Sequence, residues 1–323
     1  MLLAKGARGT EVLKLQQGLA HFGFHPGGAD GIFGAGTERA VEAWQEKAGL
    51  YADGMFGKGS QRVWDEWCQK KNTPQFAFGA SPEGADPEPA GDRLKWVTCK
   101  ATPMPNGHGF KSLILREDAA EAYNTLRDEV VKRGGYMTTA GGKRALSASV
   151  GKSRSKTSFH YTGRAFDLAT YSALGDPTTD PFICTREEGS RHWDVWCRVT
   201  DKTAPLAHTV PTVTLNATVC RHKKTSSGKR YTQLETVEWT GQAFPFTEMA
   251  AALGFDRIRG RSSFFSGGNY MGAEWWHFQY VEGLVVGQST FGGELLRVYS
   301  RSEVEALSHW RDVKDAVYGK SWF

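Results

Sequence analysis

Apolar residues recur at helical spacing near the N-terminus, where Val12, Leu15, Leu19 and Phe22 share one face. Two further helical patterns follow, Glu38 to Gln45 and Gln61 to Trp67. Each comes after a version of the same octet. Asp30-Gly31-Ile32-Phe33-Gly34-Ala35-Gly36-Thr37 is echoed by Asp53-Gly54-Met55-Phe56-Gly57-Lys58-Gly59-Ser60. Asp-Gly is a turn signal, and Thr37 and Ser60 are expected to cap the helices they precede. Residues 1–72 therefore predict a compact three-helix unit. Pro, Gly, Ala and acidic residues without apolar period fill 73–91, which predicts a moderately stiff linker.

Beyond residue 92 the pattern mixes periods. Leu115 to Lys132 predicts an amphipathic helix with Ala119, Ala122, Leu126 and Val130 along one face. Strand-like alternation marks His192 to Val199, Pro211 to Val219 and Tyr231 to Trp239. Phe246 to Leu253 predicts a short helix, Glu274 to Val281 a buried aromatic strand, and 301–318 a closing helix. The expected fold is an α+β domain over 92–323, with an antiparallel sheet and flanking helices, preceded by a small all-α unit.

The length of 323 residues fits about two domains at ~150 residues each. A net charge of +5 suits an anionic partner without choosing one. The one basic cluster, Arg221-His222-Lys223-Lys224 with Lys229-Arg230, brackets Ser226-Ser227-Gly228 and is expected to be a solvated loop. No apolar run approaches the ~18–20 residues of a membrane span. Met1-Leu2-Leu3-Ala4 is followed at once by Lys5-Gly6-Ala7-Arg8-Gly9, too short for a secretory signal core. Synthesis in the cytoplasm is expected. The five cysteines, at 68, 99, 184, 197 and 220, match no zinc-ribbon or redox spacing. Reduced, partly buried thiols are expected, with a Cys184–Cys197 or Cys197–Cys220 bridge as the alternative.

Two segments carry chemistry, Ser158-Phe159-His160-Tyr161-Thr162-Gly163-Arg164-Ala165-Phe166-Asp167 and Gly272-Ala273-Glu274-Trp275-Trp276-His277-Phe278-Gln279-Tyr280. Taken singly, each residue has a bland alternative. His160 and His277 would serve as packed structural histidines, and Asp167 as a turn or cap residue. Together they supply two imidazoles and two carboxylates. A catalytic zinc takes three protein ligands and leaves a position for water, and a further carboxylate takes the proton from that water. Gly163 permits a tight turn that returns His160 toward Asp167. On a regular strand Glu274 would face away from His277, so a bend at Gly272-Ala273 or a position ahead of the strand is required.

The joint pattern Ser158-x-His160-x-x-Gly163-x-Ala165-x-Asp167, with the later Glu274-x-Trp276-His277, resembles the zinc D-Ala-D-Ala carboxypeptidase family, including VanY-like enzymes and phage endolysin peptidases. The resemblance spans roughly residues 95 to 290. It implies one catalytic zinc on His160, Asp167 and His277, Glu274 as general base, and substrate contacts from Ser158 and Trp276. Two features depart from the family. About a hundred residues separate Asp167 from Glu274, which is long. The basic residue expected to stabilise the oxyanion is assigned to Arg144, with Arg154 as competitor.

The N-terminal pattern Gly6-x-x-Gly9-x-x-Val12-x-x-Leu15-Gln16, then Asp30-Gly31-x-Phe33-Gly34-x-x-Thr37-x-x-Ala40-Val41-x-x-Trp44-Gln45 and Leu50-x-x-Asp53-Gly54, resembles the peptidoglycan-binding domain family. Bacterial peptidoglycan is thus the implied partner, without nucleic acid, and the chain is expected to be a monomer acting at the cell wall. Ser149-x-x-Lys152 and Ser153-x-x-Lys156 match a serine-enzyme motif, but no Ser-x-Asn or Lys-Thr-Gly partner follows. Three functions compete: a murein peptidase of phage endolysin type, a D,D-carboxypeptidase trimming terminal D-Ala, and a catalytically silent wall-binding protein.

Overall fold

The computed structural model describes residues 3–50, 52–78, 93–104, 107–148, 157–224, 226, 230–284 and 289–306. Arg154 and both Ser-x-x-Lys segments lie outside them. The chain divides into two compact units: one comprises 1–93, 146–158 and 283–323, the other 94–145 and 159–282.

In the first unit, α1 (Thr10–His21), α2 (Ala35–Lys47) and α3 (Lys58–Lys70) fall where the apolar period places them. Val12, Leu15, Leu19, Val41, Trp44, Phe56 and Trp64 are fully buried in one core. The Trp44 and Trp64 rings meet edge to face with centroids 5.0 Å apart. The repeated octets build the same hydrogen-bond network twice. The Gln16 amide Nε2 donates toward Asp30 Oδ1 (3.0 Å), the Ile32 carbonyl (3.0 Å) and Thr37 Oγ1 (2.9 Å), while its Oε1 accepts from Gly31 N (2.8 Å). Gln45 repeats this with Asp53 Oδ1 (2.8 Å), the Met55 carbonyl (2.8 Å), Ser60 Oγ (3.1 Å) and Gly54 N (2.9 Å). Thr37 and Ser60 are therefore not caps. The helices start earlier, at Gly34 and Gly57, with no side-chain cap, and both hydroxyls sit inside the first turn facing a buried glutamine. The start of the expected linker also differs. Pro74–Phe76 forms a 3-10 turn on the helices, with Trp64 Nε1 donating to the Phe76 carbonyl (2.8 Å). Residues 79–91 of that linker lie outside the described residues.

The second unit is α+β, but with three small antiparallel sheets rather than one. Strands β1 (Trp96–Lys100) and β2 (Ser112–Arg116) pair and lead into α4 (Glu117–Lys132), which buries Ala119, Ala120, Tyr123, Leu126 and Val130. β3 (Ala165–Asp167) belongs to a three-stranded sheet completed by β8 (Phe255–Arg257) and β9 (His277–Tyr280), in the order β3-β9-β8. The third sheet, ordered β4-β5-β7-β6, contains β4 (Phe182–Thr185), β5 (Asp194–Arg198), β6 (Thr212–Lys224) and β7 (Arg230–Pro245). The hairpin of β6 and β7 runs longer than its alternation predicts. Arg221 to Lys224, expected as a loop, continue β6 in register with Arg230 to Gln233, and Glu235 pairs with Arg221 (3.4 Å) and Lys223 (3.5 Å). A charged run can stay in a strand when both faces meet water and a cross-strand acid offsets the cations. Short helices α5 (Phe246–Ala251) and α6 (Ser262–Phe265) complete this unit. All five cysteines are buried and free, and burial pushes the Cys197 thiol up to about 12. In the C-terminal segment, α7 (Phe291–Leu296) precedes α8 (Arg301–Glu305), which a Ser300/Glu303 capping box starts. The predicted closing helix is thus described only to Glu305. No helix among the described residues is long and apolar enough to cross a membrane.

Candidate functional site

Asp167 and His277 are direct cross-strand partners in the β3–β9 pair, although about a hundred residues separate them in sequence. Facing residues on adjacent strands bring their side chains together, and His277 Nδ1 lies 2.9 Å from Asp167 Oδ1. His160 enters from a 3-10 turn at Phe159–Thr162 just before β3, with its Nε2 3.2 Å from Asp167 Oδ2. The turn closes on Gly163, whose φ of 69° is left-handed and whose N–H donates to the His160 carbonyl (3.2 Å). The expected return of His160 through this glycine is what the backbone shows.

The loop at 139–144 holds Asp167 and His160, mostly by its main chain. Asp167 N donates to the Gly141 carbonyl (2.9 Å), while Ala140 N (2.8 Å) and Thr139 Oγ1 (2.9 Å) donate to the Asp167 carbonyl. Arg144 N donates to the His160 carbonyl (2.9 Å). His160 Nδ1 lies 2.6 Å from the Gly142 carbonyl. A carbonyl oxygen only accepts, so Nδ1 carries a proton and Nε2 is the ring nitrogen turned to the cluster.

The donor atoms of His160, Asp167 and His277 all lie within 4.8 Å of one another. His160 and His277 are 4% and 8% exposed, while the Asp167 side chain is 22% exposed, so the cluster is buried on the imidazole side and only partly exposed at the carboxylate. Burial alone would raise the Asp167 carboxyl. The charge of His160 and the hydrogen bonds from both imidazoles outweigh it and hold the group well below the usual carboxylate range. Two imidazoles and one ionised carboxylate whose donor atoms lie together suit the donor set of a catalytic zinc.

Glu274 stands outside this trio. It lies ahead of β9, as one of the two sequence alternatives requires, in a turn where His277 N donates to its carbonyl (3.2 Å). Its φ of 53° is left-handed, uncommon for a residue with a Cβ. Arg261 donates to its Oε1 from Nε (2.9 Å) and pairs with the same oxygen through Nη2 (2.8 Å). Nothing in the sequence marked Arg261, which lies 13 residues ahead of Glu274 within the long insert.

The remaining assignments fall as follows. The Arg144 guanidinium lies 5.3 Å from the Tyr161 ring centroid. Ser158 is half-buried immediately before the His160 turn. Trp276 is 3% exposed and belongs to the core, stacked on Tyr270 with centroids 5.9 Å apart.

Residues 8–59 match the family model described as "Putative peptidoglycan binding domain". Two spore cortex-lytic enzymes of Bacillus cereus are each 45% identical over 49 residues, which is 15% of this chain and 19% of each relative. The chain therefore matches about a fifth of the length of these relatives. Among solved structures, the SleB N-terminal domain is 37% identical, with 21% of this chain and 92% of that chain covered and a TM-score of 0.20. A Burkholderia AP3 phage endolysin is 21% identical, with 45% and 40% covered and a TM-score of 0.19.

Proposed function

We propose that this chain, whose N-terminal unit belongs to the peptidoglycan-binding domain family, is a zinc peptidase that hydrolyses peptide bonds in the stems or cross-links of bacterial peptidoglycan. The convergence of the His160, Asp167 and His277 donor atoms, all within 4.8 Å of one another, is the observation that carries this reading. In it the chain acts at the cell wall as a monomer of phage endolysin type.

A zinc ion bound there supplies Lewis acidity, polarising the scissile carbonyl and acidifying a water. His160 contributes Nε2, because the Gly142 carbonyl holds the proton on Nδ1. Asp167 contributes an ionised carboxylate and, through the β3–β9 register, fixes the distance to His277. Glu274 takes the proton from the attacking water and returns it to the leaving amine. The N-terminal unit raises the local concentration of the site at the wall without altering its chemistry.

The test uses the full chain on purified walls, with products identified by mass spectrometry. Chelation should abolish cleavage and added zinc should restore it. His277→Ala should lose metal and activity together. Glu274→Gln should keep its zinc and cleave at least ~100-fold more slowly. New amino groups within cross-links are expected. Release of free D-Ala alone would instead establish the D,D-carboxypeptidase. Undiminished cleavage after chelation would overturn the zinc reading, and no cleavage by the zinc-loaded chain would leave a wall-binding protein.

A further inference from the structure

We infer that Arg261 is a positioning residue for Glu274, holding one carboxylate oxygen so that the other serves as proton acceptor. The inference rests on the peptidase reading, in which Glu274 is the base. It adds a component from the insert, outside the motifs that carry the family resemblance.

The geometry is specific. A guanidinium facing a carboxylate commonly spans both oxygens with two parallel hydrogen bonds. Here Nε and Nη2 converge on Oε1, at 2.9 and 2.8 Å. No hydrogen bond from any described residue reaches Oε2 of Glu274. One oxygen is thereby anchored and the other left for chemistry. A base tethered at both oxygens would have to break a hydrogen bond before accepting a proton.

Arg261 is itself tied to the turn that bears Glu274. Its backbone N–H donates to the Gly272 carbonyl (2.7 Å), and it stands as the N-cap residue of α6. Gly272 lacks a Cβ where one would lie 3.4 Å from the Arg261 Cβ and 3.8 Å from its Cδ, so the arginine stem runs close along the turn. Glu274 occupies a left-handed backbone conformation that its own side chain disfavours. The main-chain bond at Gly272 and the guanidinium at Oε1 brace that conformation from both ends. The Arg261 side chain is 48% exposed against 16% for Glu274. Solvent screens much of the arginine charge, so orientation is the larger part of its contribution.

The experiment is a double-mutant cycle on the zinc-loaded full chain, using Arg261→Ala, Arg261→Lys, Glu274→Gln and the double variant Arg261→Ala/Glu274→Gln. Zinc content, melting temperature, kcat and KM on a soluble stem peptide are measured for each. Arg261→Ala should keep its zinc and lower kcat ~10- to 100-fold with KM within about twofold, the range a misplaced catalytic group produces. Arg261→Lys should recover part of the loss. In the Glu274→Gln background, removing Arg261 should change the rate less than about threefold, because residues acting through one group are not additive. A crystal structure of Arg261→Ala should show the Glu274 side chain in more than one rotamer. Should Arg261→Ala fail to fold, Arg261→Lys and its Glu274→Gln counterpart carry the same cycle. A kcat within twofold of the parent would overturn the inference, as would a loss that adds fully to that of Glu274→Gln, which would mark a direct contact with substrate. Near-normal turnover by Glu274→Gln would instead overturn the peptidase reading itself.

Discussion

Gly163 tests whether the His160 turn is as tightly specified as its geometry indicates. A Cβ built there would lie 2.4 Å from Cζ3 of Trp96 and 2.8 Å from the backbone N of Arg116. Neither neighbour yields cheaply. The Trp96 ring is held under the Lys143 ammonium, 3.8 Å from its centroid, and Arg116 N donates to the Gly163 carbonyl (3.2 Å). Two costs therefore add in Gly163→Ala. The left-handed φ of 69° costs an L-residue roughly 1–2 kcal/mol. Overpacking adds roughly 1–3 kcal/mol. Gly189 supplies the control, with a φ of 77° and nothing within 4 Å of the added carbon. Gly189→Ala should show only the conformational cost.

Urea unfolding of the full chain measures both variants. The second unit's midpoint should fall by about 1 M or more in Gly163→Ala and by roughly half as much in Gly189→Ala. The displaced turn carries His160, so zinc affinity in Gly163→Ala should drop ~10- to 100-fold, as it does when groups supporting a ligand are disturbed. Gly189→Ala should leave it unchanged. Equal midpoint shifts in the two variants would refute the crowding argument. An unaltered zinc affinity in Gly163→Ala would refute the link between this turn and the site.

Gln45→Leu removes a 1% exposed amide that has polar partners on both its nitrogen and its oxygen, and strands the Gly54 N–H. It should destabilise the N-terminal unit by about 2–4 kcal/mol and weaken co-sedimentation with purified walls, and Gln16→Leu should match it because the networks coincide; unchanged unfolding midpoints would contradict both. Asp118→Ala leaves the buried Arg116 guanidinium without the bidentate acceptor it holds at 2.7 and 2.8 Å, at a cost of about 3 kcal/mol in denaturant unfolding. Burial raises the Asp118 carboxyl, but the hydrogen bond and charge of Arg116 outweigh it and the net shift is downward. Its contribution is therefore present above the unfolded carboxylate value near ~3.9 and fades as pH falls through the lower folded value. The gap between wild type and Asp118→Ala should narrow below about pH 4, and a gap that widens there would refute the assignment.

The helices of the N-terminal unit were legible because their buried positions follow a strict helical period and little else competes for them. The metal-ligand candidates were legible as residue types at fixed spacing. Strand geometry left Glu274 two positions, a bend at Gly272-Ala273 or a place ahead of the strand, and the strand in fact starts only at His277. The failures have physical causes. The buried role of Gln16 and Gln45 was not legible, because periodicity cannot separate an exposed glutamine from one buried against its own turn. Thr37 and Ser60 looked like caps for the same reason, since the glutamine that claims their hydroxyls lies 21 and 15 residues away. Arg221 to Lys224 read as loop because charge clustering masked a strand with water on both faces. In Gly141-Gly142-Lys143-Arg144 the sequence offers the arginine side chain as the functional group, whereas the main chain does the structural positioning. Gly142 must be glycine because a Cβ there would lie 2.5 Å from the Ile114 carbonyl.

The long insert raises a question of construction: how a site survives about a hundred residues placed between two of its members. The β3–β9 register answers most of it. Asp167 and His277 face each other through main-chain pairing, whose geometry does not depend on the length of chain between the strands. Loop closure grows only slowly with length, so a long excursion adds little entropic cost once the strands pair. The excursion also carries its own structure. β6 and β7 pair over 13 residues, and β7 joins β5 to complete a sheet separate from the one bearing Asp167 and His277. Its return path then feeds the site. β8 pairs with β9 on the side opposite β3, and α6 follows, with Arg261 at its start. The insert therefore does more than decorate: its last segment flanks the strand that bears His277 and supplies the cation that holds Glu274. Shortening the hairpin within β6 and β7 should spare the His160–Asp167–His277 cluster, whereas deleting 255–265 should disturb both β9 and the orientation of Glu274.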